Sequence, residues 1–144
     1  MDSSKELIII TGVSGAGKSS AMAFMEDAGY YCIDNMPPEL MSTFVSLLAN
    51  NSEYYPKVAM VVDIRSGYVF EKIIASIDSV EQYGYTCKIV YLDINDTEAL
   101  KRYKLTRRKH PFADKFNGNI QNALDYEREI LAPLRLKADH IIDT

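Results

Sequence analysis

The sequence predicts an α/β protein: a doubly wound, mainly parallel sheet of five strands with helices between them. Three observations lead there. Strand-like and helix-like segments alternate along the chain. Three of the strand-like runs, "LIII", "VAMVV" and "IVYL", are continuously apolar, as strands buried on both faces of a parallel sheet are. The first of them runs straight into a glycine-rich loop and then a helical period. Alternation of this kind builds an open sheet with helices on its faces.

The elements follow in order. The β-branched isoleucines of Leu7–Thr11 make it the clearest strand. Ala21, Phe24, Met25 and Ala28 keep the i, i+3, i+4, i+7 spacing of a helix face. Tyr31–Asp34 reads as the second strand. After it, Pro37 and Pro38 suit a helix start, and Leu40, Phe44, Leu47 and Leu48 form its apolar stripe. Val58–Ile64 is the third strand. Phe70, Ile73, Ile74 and Ile77 repeat the helical period, and Lys88–Asp93 is the fourth strand. Asn95 with Glu98 three residues later resembles a capping pair. A last helix carries Ile120, Leu124, Leu131 and Leu134, and His140–Asp143 is the fifth strand.

At 144 residues the chain has room for one domain with a real core, spanning 1–144. A composition of 47% hydrophobic and 25% charged residues excludes a disordered or collagen-like chain. No apolar run approaches the ~20 residues of a membrane-spanning helix. The polar opening "MDSSKE" does not read as a signal peptide. Cys32 and Cys87 sit in apolar runs without metal-ligand spacing, which predicts buried free thiols in a reducing cytoplasm. A net charge of -4 argues against a nucleic-acid binder as a whole. The chain stops at "HIIDT", directly after a strand, where a doubly wound sheet continues into a helix. That predicts a shortened chain or one half of a longer protein.

The loop carries the chemistry. Gly12-Val13-Ser14-Gly15-Ala16-Gly17-Lys18-Ser19 fits G-x-x-x-x-G-K-[ST] at every position, between a strand and a helix. This is a Walker A loop. Its backbone N–H groups must face a phosphate, and side chains would obstruct that approach. The following helix adds its unpaired N–H groups and the positive end of its dipole. Lys18 supplies a mobile positive charge near the β- and γ-phosphates, and the Ser19 hydroxyl is placed to ligate Mg²⁺. The alternative, a connection with a solvent lysine, leaves the eight-position match unexplained. "GVSGAG" lacks the dinucleotide spacing G-x-G-x-x-G, and no N-K-x-D segment marks a guanine pocket.

These features predict a P-loop NTPase of kinase-like topology, with strand order 2-3-1-4-5. A magnesium site needs an acid at the end of a neighbouring strand. Asp63 and Asp93 both qualify, and Asp63 is favoured because the third strand usually carries this aspartate; Asp93 is then a capping or structural residue. Asp34, at the end of the second strand, holds the acceptor or acts as base in small-molecule kinases, or it caps the helix after Pro37. "KRYKLTRRKHP", Lys101–Pro111, is the densest positive stretch and continues without a clear period. Arg107 or Arg108 on a lid could stabilise charge on a transferring phosphoryl group. A solvated basic face and an RNA or anion patch are the alternatives.

Taken together, "IITGVSGAGKS", "EDAGYYCIDNMPPEL", "DIRS", "YLDINDTEALKRYKLTRRKHP", "EREILAPLR" and "ADHIIDT" resemble the RapZ/YvcJ family of bacterial nucleotide-binding proteins. They occur in family order over nearly the whole chain. "YYCIDNMPP" and "TRRKHP" are far more specific than the loop. The resemblance implies ATP at Gly12–Ser19, a GTP-associated segment Asp63-Ile64-Arg65-Ser66, and slow hydrolysis of both. It also implies a second, C-terminal domain that this sequence does not include. In the RNase-adaptor members that domain is linked to an amino-sugar phosphate and small RNAs, so RNA binding is not expected of these residues.

Three functions follow as expectations. The first is a nucleotide-binding regulatory domain for Mg-ATP and Mg-GTP, a weak ATPase or GTPase whose bound state is passed to a partner domain or protein. The second is a small-molecule kinase with Asp34 at the acceptor site and Lys18 and an arginine on the phosphoryl group. The third is an RNA-binding module working through Lys101–Lys109.

Overall fold

The computed structural model describes residues 5–13, 16–36, 40–50, 55–62, 69–82, 84–95, 97–98, 101 and 120–143. The elements are β1 (Glu6–Gly12), α1 (Lys18–Asp27), β2 (Tyr31–Met36), α2 (Met41–Asn50), β3 (Lys57–Val62), α3 (Val69–Gln82), β4 (Thr86–Asp93), α4 (Ile120–Lys137) and β5 (His140–Asp143). The strands form one five-stranded sheet in the order β2-β3-β1-β4-β5, with every pair parallel. This is the topology the alternating pattern predicts. The strands run longer than their apolar residues, β3 for instance starting on Lys57. Glu6 and Thr86 pair across the ladder although neither is apolar, and β2 continues past Asp34 to Met36 through an irregularity.

The core sits where the apolar runs cross. Leu7, Ile9 and Ile10 of β1, Val58–Val62 of β3 and Ile89, Tyr91 and Leu92 of β4 are all buried. Each fully buried aliphatic side chain contributes roughly 2 kcal/mol relative to exposure. Ile73 and Val80 of α3 and Leu124, Leu131 and Leu134 of α4 close over the sheet. No helix of the described residues is long and apolar enough to cross a membrane.

Two helices depart from the sequence expectation. Among the described side chains of α2, Met41 and Leu48 are buried, whereas Leu47, and Leu40 just before the helix, are exposed. Leu40 precedes the helix, and Leu47 is a hundred degrees round the axis from Leu48, so both fall on the flank of the stripe. In α1 no residue is fully buried, and Phe24 is 71% exposed. The apolar spacing is there, but the helix covers only part of the sheet beneath it.

Candidate nucleotide-binding site

All five strands run the same way, so Gly12, Met36, Val62, Asp93 and Asp143 end at one edge of the sheet. β1 lies at the centre of that edge between β3 and β4. The chain leaves β1 towards β2 on one side and later crosses to β4 on the other. Open α/β sheets bind ligands at such a reversal.

The path of the loop is set by contact between backbones. Gly12 pairs with Leu92, and Val13 N donates to the Leu92 carbonyl at 3.1 Å. Gly12 has φ +143°, and a Cβ there would stand 2.1 Å from the Leu92 carbonyl oxygen. No side chain fits, and the obstacle is backbone that cannot swing aside. Ala16 N donates to the Val13 carbonyl at 3.1 Å, which tightens the turn, and Ala21 N donates to the Gly17 carbonyl at 3.0 Å, the first turn of α1. Gly17 holds φ 95°, ψ 30° at the start of the helix, with no side-chain cap on its N–H groups. A Cβ at Gly17 would meet nothing within 4 Å. The two glycines therefore serve different ends: Gly12 allows close approach, and Gly17 supplies a left-handed conformation.

Lys18 turns back over this loop and its Nζ donates to the Gly12 carbonyl at 3.0 Å. The cation is thereby held above the loop rather than extended into solvent. Ser19 is exposed on the first turn of α1. Thr11, the residue before Gly12, is fully buried, and among the described residues its Oγ1 is the one buried side-chain oxygen without a partner. The sequence reading passed over it, because a threonine at the end of an apolar strand looks like a β-branched core residue.

The acids separate by position. Asp93 faces α4: its Oδ1 accepts from Ile94 N at 2.8 Å, Arg128 Nη2 lies 3.8 Å away and Arg135 Nε lies 3.5 Å from Oδ2. Arg128 also donates to the Ile94 carbonyl. Asp93 thus ties β4 to α4, in agreement with a structural reading of that residue. Arg128 and Arg135 lie two turns apart on one helix face, a spacing within "EREILAPLR" that the sequence reading did not use. Burial pushes the neighbouring Tyr91 phenol up to about 12, with Asp93 and Glu127 opposing its ionisation further. Asp34 is exposed near the end of β2, at the edge where the loop lies. Asn95 does cap the following turn, its Oδ1 accepting from Glu98 N at 2.8 Å.

Ser14, Gly15, Asp63, Ile64, Arg65, Ser66, Arg107 and Arg108 lie outside the described residues. The loop's two flanks and its lysine are therefore brought together, while the magnesium, GTP-segment and lid assignments stay as expectations. Among the described residues, Gly12 lies against the Leu92 backbone, the start of α1 at Gly17 has no side-chain cap, and Lys18 folds back onto the Gly12 carbonyl.

A family model, the RapZ-like N-terminal domain, matches residues 5–144. The chain belongs to that family. A nucleotide-binding protein of Alkaliphilus oremlandii is 46% identical to this RapZ-like domain over 139 residues, 96% of the chain and 47% of the relative. One from Finegoldia magna is 45% identical over 96% of the chain and 48% of its own length. The chain spans about half the length of these relatives. Among solved structures, the shikimate kinase of Acinetobacter baumannii in complex with shikimate superposes with a TM-score of 0.55 at 17% identity, over 99% of this chain and 85% of that one. A gluconokinase from Sinorhizobium meliloti gives 0.56 at 18%, over 99% and 83%. These likenesses show the P-loop kinase fold of the RapZ-like domain and nothing finer.

Proposed function

We propose that this domain binds Mg-ATP and Mg-GTP at the loop Gly12–Ser19, hydrolyses them slowly, and passes the bound state to the rest of a longer protein or to a partner. The observation that carries the reading is the Gly12–Leu92 approach with Lys18 folded over it. With it, the uncapped start of α1 offers main-chain N–H groups and Lys18 one cation to an anion at the switch point of the sheet. The name of these relatives, nucleotide-binding protein, supports the same class of ligand.

In this reading Val13, Ser14, Gly15, Ala16 and Gly17 present backbone to the phosphates and Lys18 moves from the Gly12 carbonyl to them. Ser19 and Asp63 would hold Mg²⁺, which supplies charge neutralisation on the phosphate oxygens. Asp63–Ser66 would contact GTP, and Arg107 and Arg108 would close from the lid. The free cysteines Cys32 and Cys87 suit work in the cytoplasm.

The test is turnover. Steady-state release of phosphate from Mg-ATP and Mg-GTP is expected to be slow, on the order of the unassisted rate of switch-type P-loop proteins, below about 0.01 per second, and lower still in Asp63→Asn. Fast release without any partner contradicts the regulatory reading. Transfer of labelled phosphate to a small acceptor, abolished in Asp34→Asn, would replace it with the kinase reading that the exposed Asp34 keeps open.

A further inference from the structure

Among the described residues, the entry of the glycine loop leans on one neighbouring strand. β1 pairs with β3 from Glu6 to Ile10 but with β4 from Glu6 to Gly12, so β4 is the strand that runs on beside the loop. Thr11 is buried, and its hydroxyl has no partner among the described residues. The hold on the entry from outside the loop is therefore the Leu92 backbone. Its carbonyl accepts from Val13 N at 3.1 Å and lies 2.1 Å from where a Cβ on Gly12 would stand.

The two residues after Leu92 are gripped by α4. Asp93 has an arginine at each oxygen, Arg128 Nη2 at 3.8 Å from Oδ1 and Arg135 Nε at 3.5 Å from Oδ2. Arg128 also donates to the Ile94 carbonyl, and Ile94 N donates to Asp93 Oδ1 at 2.8 Å. Leu124, Arg128, Leu131 and Arg135 follow at steps of four, three and four along α4. The arginines thus continue the stripe whose leucines are buried. They are two turns apart, ~10 Å of helix rise, so they reach the carboxylate from two directions. With side chains 31% and 49% exposed, such pairs add little to overall stability. What bracketing does fix is where the carboxylate sits.

We propose that Arg128 and Arg135 are positioning residues for the phosphate loop: through Asp93 they set the place of the Leu92 carbonyl, and with it the shape of the loop's entry. The link is one rigid unit. The Leu92 carbonyl and the Asp93 N–Cα bond belong to the same planar peptide, so holding Asp93 aims the carbonyl. The close approach at Gly12 leaves that carbonyl no slack. Helix α4 thereby sets nucleotide affinity without touching the nucleotide, and a bound nucleotide tightens the arginine clamp in return. The role in binding rests on reading Gly12–Ser19 as a phosphate site; the clamp on the carbonyl does not.

Hydrogen exchange of the Val13 amide, followed by NMR without nucleotide or magnesium, reads the clamp directly. In Asp93→Asn, Val13 is expected to exchange at least about tenfold faster than in the unsubstituted chain, as a locally opened site does, while Ile9 in the middle of β1 keeps its rate. Arg135→Gln is expected to act in the same direction, and to add nothing in the Asp93→Asn background, because it works through that carboxylate. Arg135→Lys, which keeps the cation, retains the protection. If Asp93→Asn does not fold, Arg135→Gln, at a largely exposed side chain, carries the comparison. Mg-ATP titrated into the same variants is expected to bind about tenfold more weakly. Unchanged Val13 exchange overturns the proposal, even where affinity falls. Equal acceleration at Ile9 and Val13 overturns it too, since the ion pairs would then only hold the fold together. Faster Val13 exchange with unchanged Mg-ATP affinity overturns the role in binding. Faster Val13 exchange with no nucleotide bound by any of the proteins, the unsubstituted chain included, supports the clamp and overturns the phosphate reading of the loop instead.

Discussion

At the N-terminal edge of the sheet side chains fasten one strand to the next, whereas at the C-terminal edge backbone lies against backbone. Tyr30, ahead of β2, donates its hydroxyl to the Glu6 carboxylate of β1, and Lys57 of β3 places its ammonium 5.7 Å from the Tyr30 ring centre. The Tyr31 and Tyr55 rings pack tilted, with centroids 4.8 Å apart, and Tyr85 donates to the Tyr55 carbonyl at 2.8 Å. At the other edge Gly12 presses on Leu92 without any side chain between them. The same strands therefore end in two different chemistries. The tyrosine edge has its polar groups matched within the protein. The glycine edge keeps an uncapped helix start and a lysine parked on a carbonyl, which are the groups a ligand would engage, and beneath them a buried hydroxyl without a partner.

Putting a side chain into the glycine edge breaks it hardest. Gly12→Ala is expected to lose on the order of 3 kcal/mol or more of unfolding free energy, from the clash with Leu92 combined with dihedral strain. Gly17→Ala carries only the conformational part, about 1 kcal/mol. Urea denaturation of the two variants reads the difference; equal losses would mean that the Gly12–Leu92 approach does not govern the loop.

The tyrosine edge yields more gently, through pH. The hydrogen bond to Glu6, then burial, then the carboxylate's charge push the Tyr30 phenol up to about 12. The folded state thus keeps this proton where the unfolded chain, near 10, gives it up. The stabilisation is complete below pH 10 and is lost as pH rises from 10 through about 12. Thermal melts from pH 8 to 12 are expected to decline over that window, and Tyr30→Phe is expected to flatten part of the decline. Tyr91, also raised to about 12, accounts for a further part. An identical slope in Tyr30→Phe would remove Tyr30 from the fastening of this edge.

The contrast between the edges also explains what the sequence made legible. "LIII" and "VAMVV" revealed buried parallel strands because burial on both faces leaves an unbroken apolar run. The loop was legible because a phosphate cradle constrains residue type at fixed spacing. Leu92 could not be found that way: it acts through its carbonyl, and every residue has one. The tyrosine contacts were equally hidden, since they join residues far apart in sequence and no local period records them. Phe24 and Leu47 misled the periodic reading for the reverse reason. Spacing identifies an apolar stripe but cannot say how wide a face the neighbouring elements cover.

The most direct test of the account is calorimetric titration of Mg-ATP and Mg-GTP into this chain and into Lys18→Ala. The account predicts saturable binding that weakens at least ~100-fold in the variant, about 2.7 kcal/mol, with the denaturation midpoint nearly unchanged. Equal affinities in the two folded proteins would contradict it, because the nucleotide would then bind without the lysine that the glycine loop holds in place.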